Sequence, residues 1–104
     1  MNYNDDYKEF VRLIKEWSKD RNIHEGDPDK QFLKVVEEVG ELAGALARKK
    51  GLDVRDAIGD IFVTLVIICQ RLDYELIDCI GMAYNEIENR KGKTVDGVFQ
   101  KEED

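Results

Sequence analysis

Apolar residues recur along most of this chain three and four positions apart, and no apolar–polar alternation persists beyond a few residues. That spacing predicts four helices. The first, about 5–21, sets Phe10, Val11, Leu13, Ile14 and Trp17 on one side, with Asn4 or Asp5 as its cap. A loop over residues 22–27 follows. Asp27 as N-cap and Pro28 at the first helical position then open a second helix, about 28–50, which Gly51 closes as C-cap glycine. Asp53 caps a third helix, about 54–72, and a fourth covers about 75–91, stopped by Gly92. The tail, 93–104, is polar apart from Val95, Val98 and Phe99 and receives no element. With one proline, no internal repeat and no linker, the chain reads as a single all-α domain over 1–104, a four-helix bundle.

The third helix departs from an ordinary bundle helix. From Ile58 to Leu72 it is apolar nearly all round, whereas a surface helix needs only one apolar stripe. A homo-oligomer built around this helix, a dimer or tetramer, is the expected way to cover it. Length and a hydrophobic content of 42% suffice for a core. A net charge of −7 argues against nucleic acid or an anionic membrane as partner, and any phosphate would need cations to bridge it. Cys69 and Cys79 lie in apolar helical contexts and read as reduced core thiols. No signal-peptide pattern follows Met1, so the expected setting is cytoplasmic.

The acids carry the candidate chemistry. At about 100° per residue, Phe32, Val35, Val36, Val39, Leu42, Ala43 and Leu46 form the apolar arc of the second helix. Glu38 falls at its edge with Glu41 one turn on, and Gln31 and Lys34 join the same column, while Glu37 projects further out. Gly40 removes bulk beside the pair at a cost of about 1 kcal/mol of helix propensity. On the third helix Asp53 and Asp56 suit a capping arrangement, but Asp60 lies about two turns inside, too deep to cap. Asp56 shares its direction. A tight connection makes the two helices antiparallel neighbours, which sets Glu41 and Asp60 at similar heights. Converging carboxylates must either hold protons or be neutralised by cations, and all-oxygen ligation favours Mg²⁺ or Mn²⁺. A di-iron bundle needs histidines on its core-facing helices, and the one histidine, His24, is in a loop. The bland alternative is a solvated face with Glu38 and Glu41 paired to Lys34 and Arg48, Asp60 paired to Arg71, and Trp17 in the core.

Residues 34–42, KVVEEVGEL, followed by residues 56–65, DAIGDIFVTL, resemble the MazG-like nucleoside triphosphate pyrophosphohydrolases of the all-α superfamily, and within them the short single-domain type. The segments 17–21, WSKDR, and 85–92, NEIENRKG, extend the likeness over most of the chain. The family pattern is Glu-x-x-Glu, then Glu-x-x-Asp on the next helix. Glu38 and Glu41 match the first half and Asp60 the last acid; the third acid falls on Ala57, with Asp56 one residue earlier as its substitute. The resemblance implies an all-α NTP pyrophosphatase fold that acts as a dimer or tetramer. It also implies Mg²⁺-dependent hydrolysis of an NTP or dNTP to the monophosphate and pyrophosphate, for nucleotide-pool housecleaning. In that chemistry Glu38, Glu41, Asp60 and Asp56 hold metal, and Glu37 or Glu38 accepts the proton of the attacking water. Lys34, Asn85, Arg90 and Lys93 are placed for phosphates, and Trp17 and Gln31 for the base. Phosphoribosyl-ATP pyrophosphohydrolase is the enzymatic runner-up, and a non-catalytic acidic helical oligomerisation module the non-enzymatic one.

Overall fold

The computed structural model describes residues 3–102, with side-chain surroundings from Asp6 onward. It is mostly helical: α1 (Tyr3–Asp20), α2 (Pro28–Arg48), α3 (Gly51–Leu72) and α4 (Leu76–Ile87), followed by two short strands, β1 (Gly92–Val95) and β2 (Val98–Lys101). No helix among the described residues is long and apolar enough to cross a membrane.

The helix ends show why the chain breaks where it does. Asp27 caps α2 as expected, its Oδ1 accepting from the Asp29 amide at 2.9 Å, with Pro28 behind it. Three helices end in the same way, with a non-glycine residue in the left-handed region: Asn22 (φ 58°), Lys49 (φ 56°) and Asp73 (φ 61°). In each, the next amide reaches five residues back: Ile23 to the Ser18 carbonyl at 2.9 Å, Lys50 to Ala45 at 3.3 Å, Tyr74 to Cys69 at 2.8 Å. Lys49 therefore takes the role expected of Gly51, which instead starts α3, leaving a connection of only two residues between α2 and α3. That shift also moves Asp53 into the first turn of α3; the N-cap position is Lys50, with no side-chain cap. Likewise α1 starts at Tyr3, so Asn4 and Asp5 lie within its first turn rather than ahead of it.

Helix α3 is the hub. It runs antiparallel beside α2 along most of its length, α1 packs on it, and α4 touches it only near its end, while among the described residues no Cα of α1 lies within 8 Å of one in α2. Val66 and Ile67 are buried at its centre, and Tyr7 meets Phe62 edge-to-face at 5.7 Å. Polar links join the helices across this core. Gln31 donates to the Thr64 carbonyl (3.3 Å), Gln70 to the Lys15 carbonyl (3.3 Å), and Lys15 pairs with Glu75 at 2.7 Å. Arg71 donates to the Ile23 and Asp27 carbonyls (2.9 and 3.0 Å), pinning the loop between α1 and α2.

The expected bundle does not close within one chain, because α4 has no buried residue. The Cα radius of gyration is 16.3 Å, where a compact domain of this length has about 13 Å. Cys69 is buried, its thiol pushed up by burial and then by neighbouring Cys79; Cys79 itself is exposed and not the core thiol expected. Helix α4 is also shorter than expected, ending at Ile87. The tail, for which composition predicts no element, is a β-hairpin as far as Lys101. Asp96 and Gly97 both have positive φ (52° and 78°), the requirement of a two-residue type I′ turn, and Val95 pairs with Val98. Phe99 lies over Gly92, where a Cβ would collide with its ring and with the Gln100 carbonyl.

Lysine in the left-handed conformation costs about 1–2 kcal/mol that glycine avoids, so Lys49→Gly is expected to raise the melting temperature by about 4–8 °C. Differential scanning calorimetry checks this; an unchanged or lower melting temperature contradicts the cap assignment.

Candidate functional site

Position 38 on α2 faces α3 because the 100° rotation per residue carries it there from Gln31 and Ala45, which are buried on the same helix. Glu38 is only 8% exposed, and its Oε2 is buried with no hydrogen-bond partner. One carboxylate oxygen from each of Glu37, Glu38 and Glu41 lies within 4.8 Å of the others, a grouping of the size that holds a metal ion. The neighbours raise the Glu38 carboxyl above its ordinary range, burial first, then Glu41 and Asp60. On α3 the Asp60 carboxyl is raised too, by burial, then by Asp56 and Glu41. Among the described residues the oxygens close enough to share one ion are those of Glu37, read as pointing outward, Glu38 and Glu41. Asp60 on α3 acts on the Glu38 carboxyl across the seam, and Asp56 acts on Asp60, but both lie outside that grouping.

The cations do not dissolve the cluster. Lys34 Nζ lies 3.3 Å from Glu37 and 3.9 Å from Glu38, and its ammonium is held above its ordinary range chiefly by Glu37. Among the described residues Glu41 and Asp60 are in no ion pair, and Arg71, the bland partner for Asp60, is committed to two backbone carbonyls. Of these acids Glu38 is buried and Asp60 half-buried, while Glu37, Glu41 and Asp56 are exposed; a buried carboxylate beside like charges is costly unless protonated or matched by a cation.

Of the three clefts that border Asp60, two also take in the acids of α2. One, of about 450 Å³, is lined by Glu37, Gly40, Glu41, Asp53, Asp56 and Asp60, with Gly44 and Arg48 at its edge. A Cβ on Gly40 would meet nothing within 4 Å, whereas one on Gly44 would press on the Arg48 guanidinium at 3.0 Å. The other, of about 530 Å³, runs from Glu38 and Asp60 past Lys34, Gln31 and Thr64 to Trp17 and Arg71. Trp17 is 45% exposed rather than core, and the Arg21 guanidinium sits 4.6 Å from its ring centroid. Trp17, Gln31 and Lys34 therefore share a cleft with the acids. Asn85, Arg90 and Lys93 line neither cleft in their own chain. Asp53, Lys30 and Arg71, to which no site role was assigned, do line them; Arg71 continues the column through Asp60, Thr64 and Ile67 and was legible from that spacing.

No family model matches the chain, and no solved structure matches it. A curated relative, an uncharacterized 18.2 kDa protein of the rep–hol intergenic region of Haemophilus phage HP1, is 39% identical over 67 residues. The match takes in 64% of this chain and 41% of that protein, so the chain spans about two fifths of the length of the relative it matches.

Two outcomes test the cluster. Glu38 and Asp60 bind protons more tightly in the folded state than their unfolded values of 4.5 and 3.8. The folded state therefore holds more protons, so their contribution is fully present below about pH 4 and is lost as pH rises through the raised folded values. In EDTA at pH 7, Glu38→Gln and Asp60→Asn should melt above the parent protein, and Mg²⁺ should stabilise the parent but neither variant. A parent melting temperature indifferent to Mg²⁺ would reduce the cluster to a solvated acidic face. Separately, Gly40→Ala should stabilise α2 by about 1 kcal/mol in urea denaturation, since helix propensity rises and the space is open; a loss instead means the cleft is closed in solution.

Proposed function

We propose that the chain is a Mg²⁺-dependent pyrophosphohydrolase that converts a nucleoside triphosphate, NTP or dNTP, to the monophosphate and pyrophosphate, serving nucleotide-pool housecleaning. The observation that carries this reading is the buried, unpartnered Glu38 oxygen within a carboxylate group that opens into a cleft flanked by Trp17 and Gln31. The likeness of residues 34–42 and 56–65 to the MazG-like enzymes supports it independently.

The donor set fits a hard divalent ion, since every candidate ligand is a carboxylate. Glu38, Glu41, Asp60 and Asp56 would hold Mg²⁺, or Mn²⁺ in its place. When bound, the metal neutralises charge on the triphosphate and lowers the pKa of water. The chain's own groups do the rest. Glu37, on the outer side of the cluster, takes the proton from the water that attacks the α-phosphorus, with Glu38 as the alternative acceptor. The bond to the β-phosphate breaks and pyrophosphate leaves with its electron pair, so positioning and charge carry most of the catalysis. Lys34 offers its ammonium to a phosphate. Trp17 stacks on the base, and Gln31, whose amide N–H donates to Thr64, has its carbonyl oxygen left to accept from a base N–H.

Pyrophosphate release from a panel of NTPs and dNTPs tests the reading. Glu41→Gln and Asp60→Asn should each lower turnover by about 100-fold or more, the scale of losing one charge-stabilising group. Trp17→Ala should raise KM about 10-fold with a smaller change in kcat, because stacking is worth about 1–3 kcal/mol per base. Release that is absent with every nucleotide in both Mg²⁺ and Mn²⁺, or unchanged in the two acid variants, favours a non-catalytic acidic module.

A further inference from the structure

We infer, on the reaction proposed above, that Arg48 binds the outer, leaving end of the triphosphate and so makes the site select nucleoside triphosphates over diphosphates. Residue spacing offered Arg48 as a cation that neutralises Glu38 or Glu41. It does not take that part: among the described residues its guanidinium is in no ion pair with any carboxylate.

The guanidinium nevertheless has a defined place. Arg48 follows Glu41 by two turns in the same column of α2, and long helical side chains lean back toward the N-terminus. Gly44 lies between them, and Arg48 Nη1 stands 3.0 Å from the point that a Cβ on Gly44 would occupy. The missing side chain gives the guanidinium a bed about one turn beyond Glu41. Both Gly44 and Arg48 line the cleft of about 450 Å³ that holds Glu41, Asp56 and Asp60. Arg48, Lys49, Lys50 and Arg55 all sit around the turn between α2 and α3, yet Arg48 alone among them lines the cleft. A guanidinium beside several carboxylates and paired with none is set for an anion that arrives with its own metal, which is how a triphosphate comes.

Order along α2 gives the direction. Gln31 and Lys34 share the other cleft with Trp17, Glu38 and Glu41 follow, and the Arg48 guanidinium over Gly44 comes last. From Gln31 to Gly44 the helix rises about 20 Å, comparable to the length of an extended nucleoside triphosphate. With the base at Trp17 and Gln31 and the metal at the acids, the phosphates run on into the cleft that ends at Arg48. Attack on the α-phosphorus sends the bonding pair to the departing pyrophosphate, so charge grows on the side where the guanidinium lies. A planar fork of N–H donors suits a terminal phosphate better than a point charge does. A diphosphate is one phosphate too short and leaves Arg48 unpaired.

Isothermal titration calorimetry of the full chain with inorganic pyrophosphate in Mg²⁺ tests the contact without turnover. Arg48→Gln should weaken binding about 10- to 100-fold, the scale of a hydrogen bond to a charged group. Arg48→Lys should recover part of that loss, since the charge returns without the fork. Arg55→Gln removes an equal charge outside the cleft and should change binding by no more than about 2-fold, because solvent and salt screen it. Arg48 is exposed, so its variants should keep the parent's helical circular dichroism. In steady-state kinetics, the ratio of kcat/KM for a dNTP to that for its dNDP should fall about 10-fold in Arg48→Gln, through the triphosphate. Pyrophosphate that fails to bind the parent, binds Arg48→Gln as tightly, or is weakened equally by Arg55→Gln overturns the assignment, as does an unchanged triphosphate preference. Pyrophosphate held through Arg48 by a chain that hydrolyses no nucleotide supports the phosphate contact and removes the proposed reaction alone.

Discussion

An apolar helix has to be covered, and in this chain α3 is the helix around which everything else is arranged. Helix α2 packs along one side of it, α1 on another, and α4 makes the least contact. The two-residue turn at Lys49 and Lys50 is decisive. It forces α2 and α3 into antiparallel contact over most of their lengths, and that contact brings residues 38 and 41 opposite residue 60.

The same packing creates the electrostatic problem at the seam. Glu38 is buried because its column on α2 contains Gln31 and Ala45, and the acids Glu41 and Asp60 outweigh Lys34, 3.9 Å away, in setting its proton affinity. Nothing in the apolar core requires a carboxylate there; an alanine or glutamine would fill the space without the penalty. A chain that keeps an unpaired buried carboxylate oxygen beside three further acids is less stable for it, and that loss is most simply balanced by something that binds. The neighbouring cleft, with an aromatic face at Trp17 and an amide at Gln31, is the reason a nucleotide is the proposed partner.

Much of this was legible from residue spacing. The helical rotation that puts Glu38 and Glu41 together, the depth of Asp60 inside its helix, and the Asp27–Pro28 start of α2 are local properties, and each is set by the 3.6-residue repeat or by capping chemistry. The hairpin was legible too: Asp96-Gly97 between Val95 and Val98 is a strong two-residue turn signal, obscured by the polar composition around it. The left-handed lysine at position 49 was not legible, because Gly51 nearby is the better residue for that role; only the geometry of the turn shows that the glycine is used to start α3.

Sequence by itself determined the helices, the acidic face and the excess of apolar residues over what one small chain can bury, since all three follow from residue type and periodicity. Tertiary structure decided which of those residues meet: that Glu37 joins the cluster, that Arg71 goes to backbone carbonyls instead of Asp60, that Trp17 faces a cleft, and that α4 and the hairpin are left uncovered. The physical reason is that spacing fixes direction around one helix, whereas contact between helices depends on turn length, crossing and reach, and those are set by the whole chain at once.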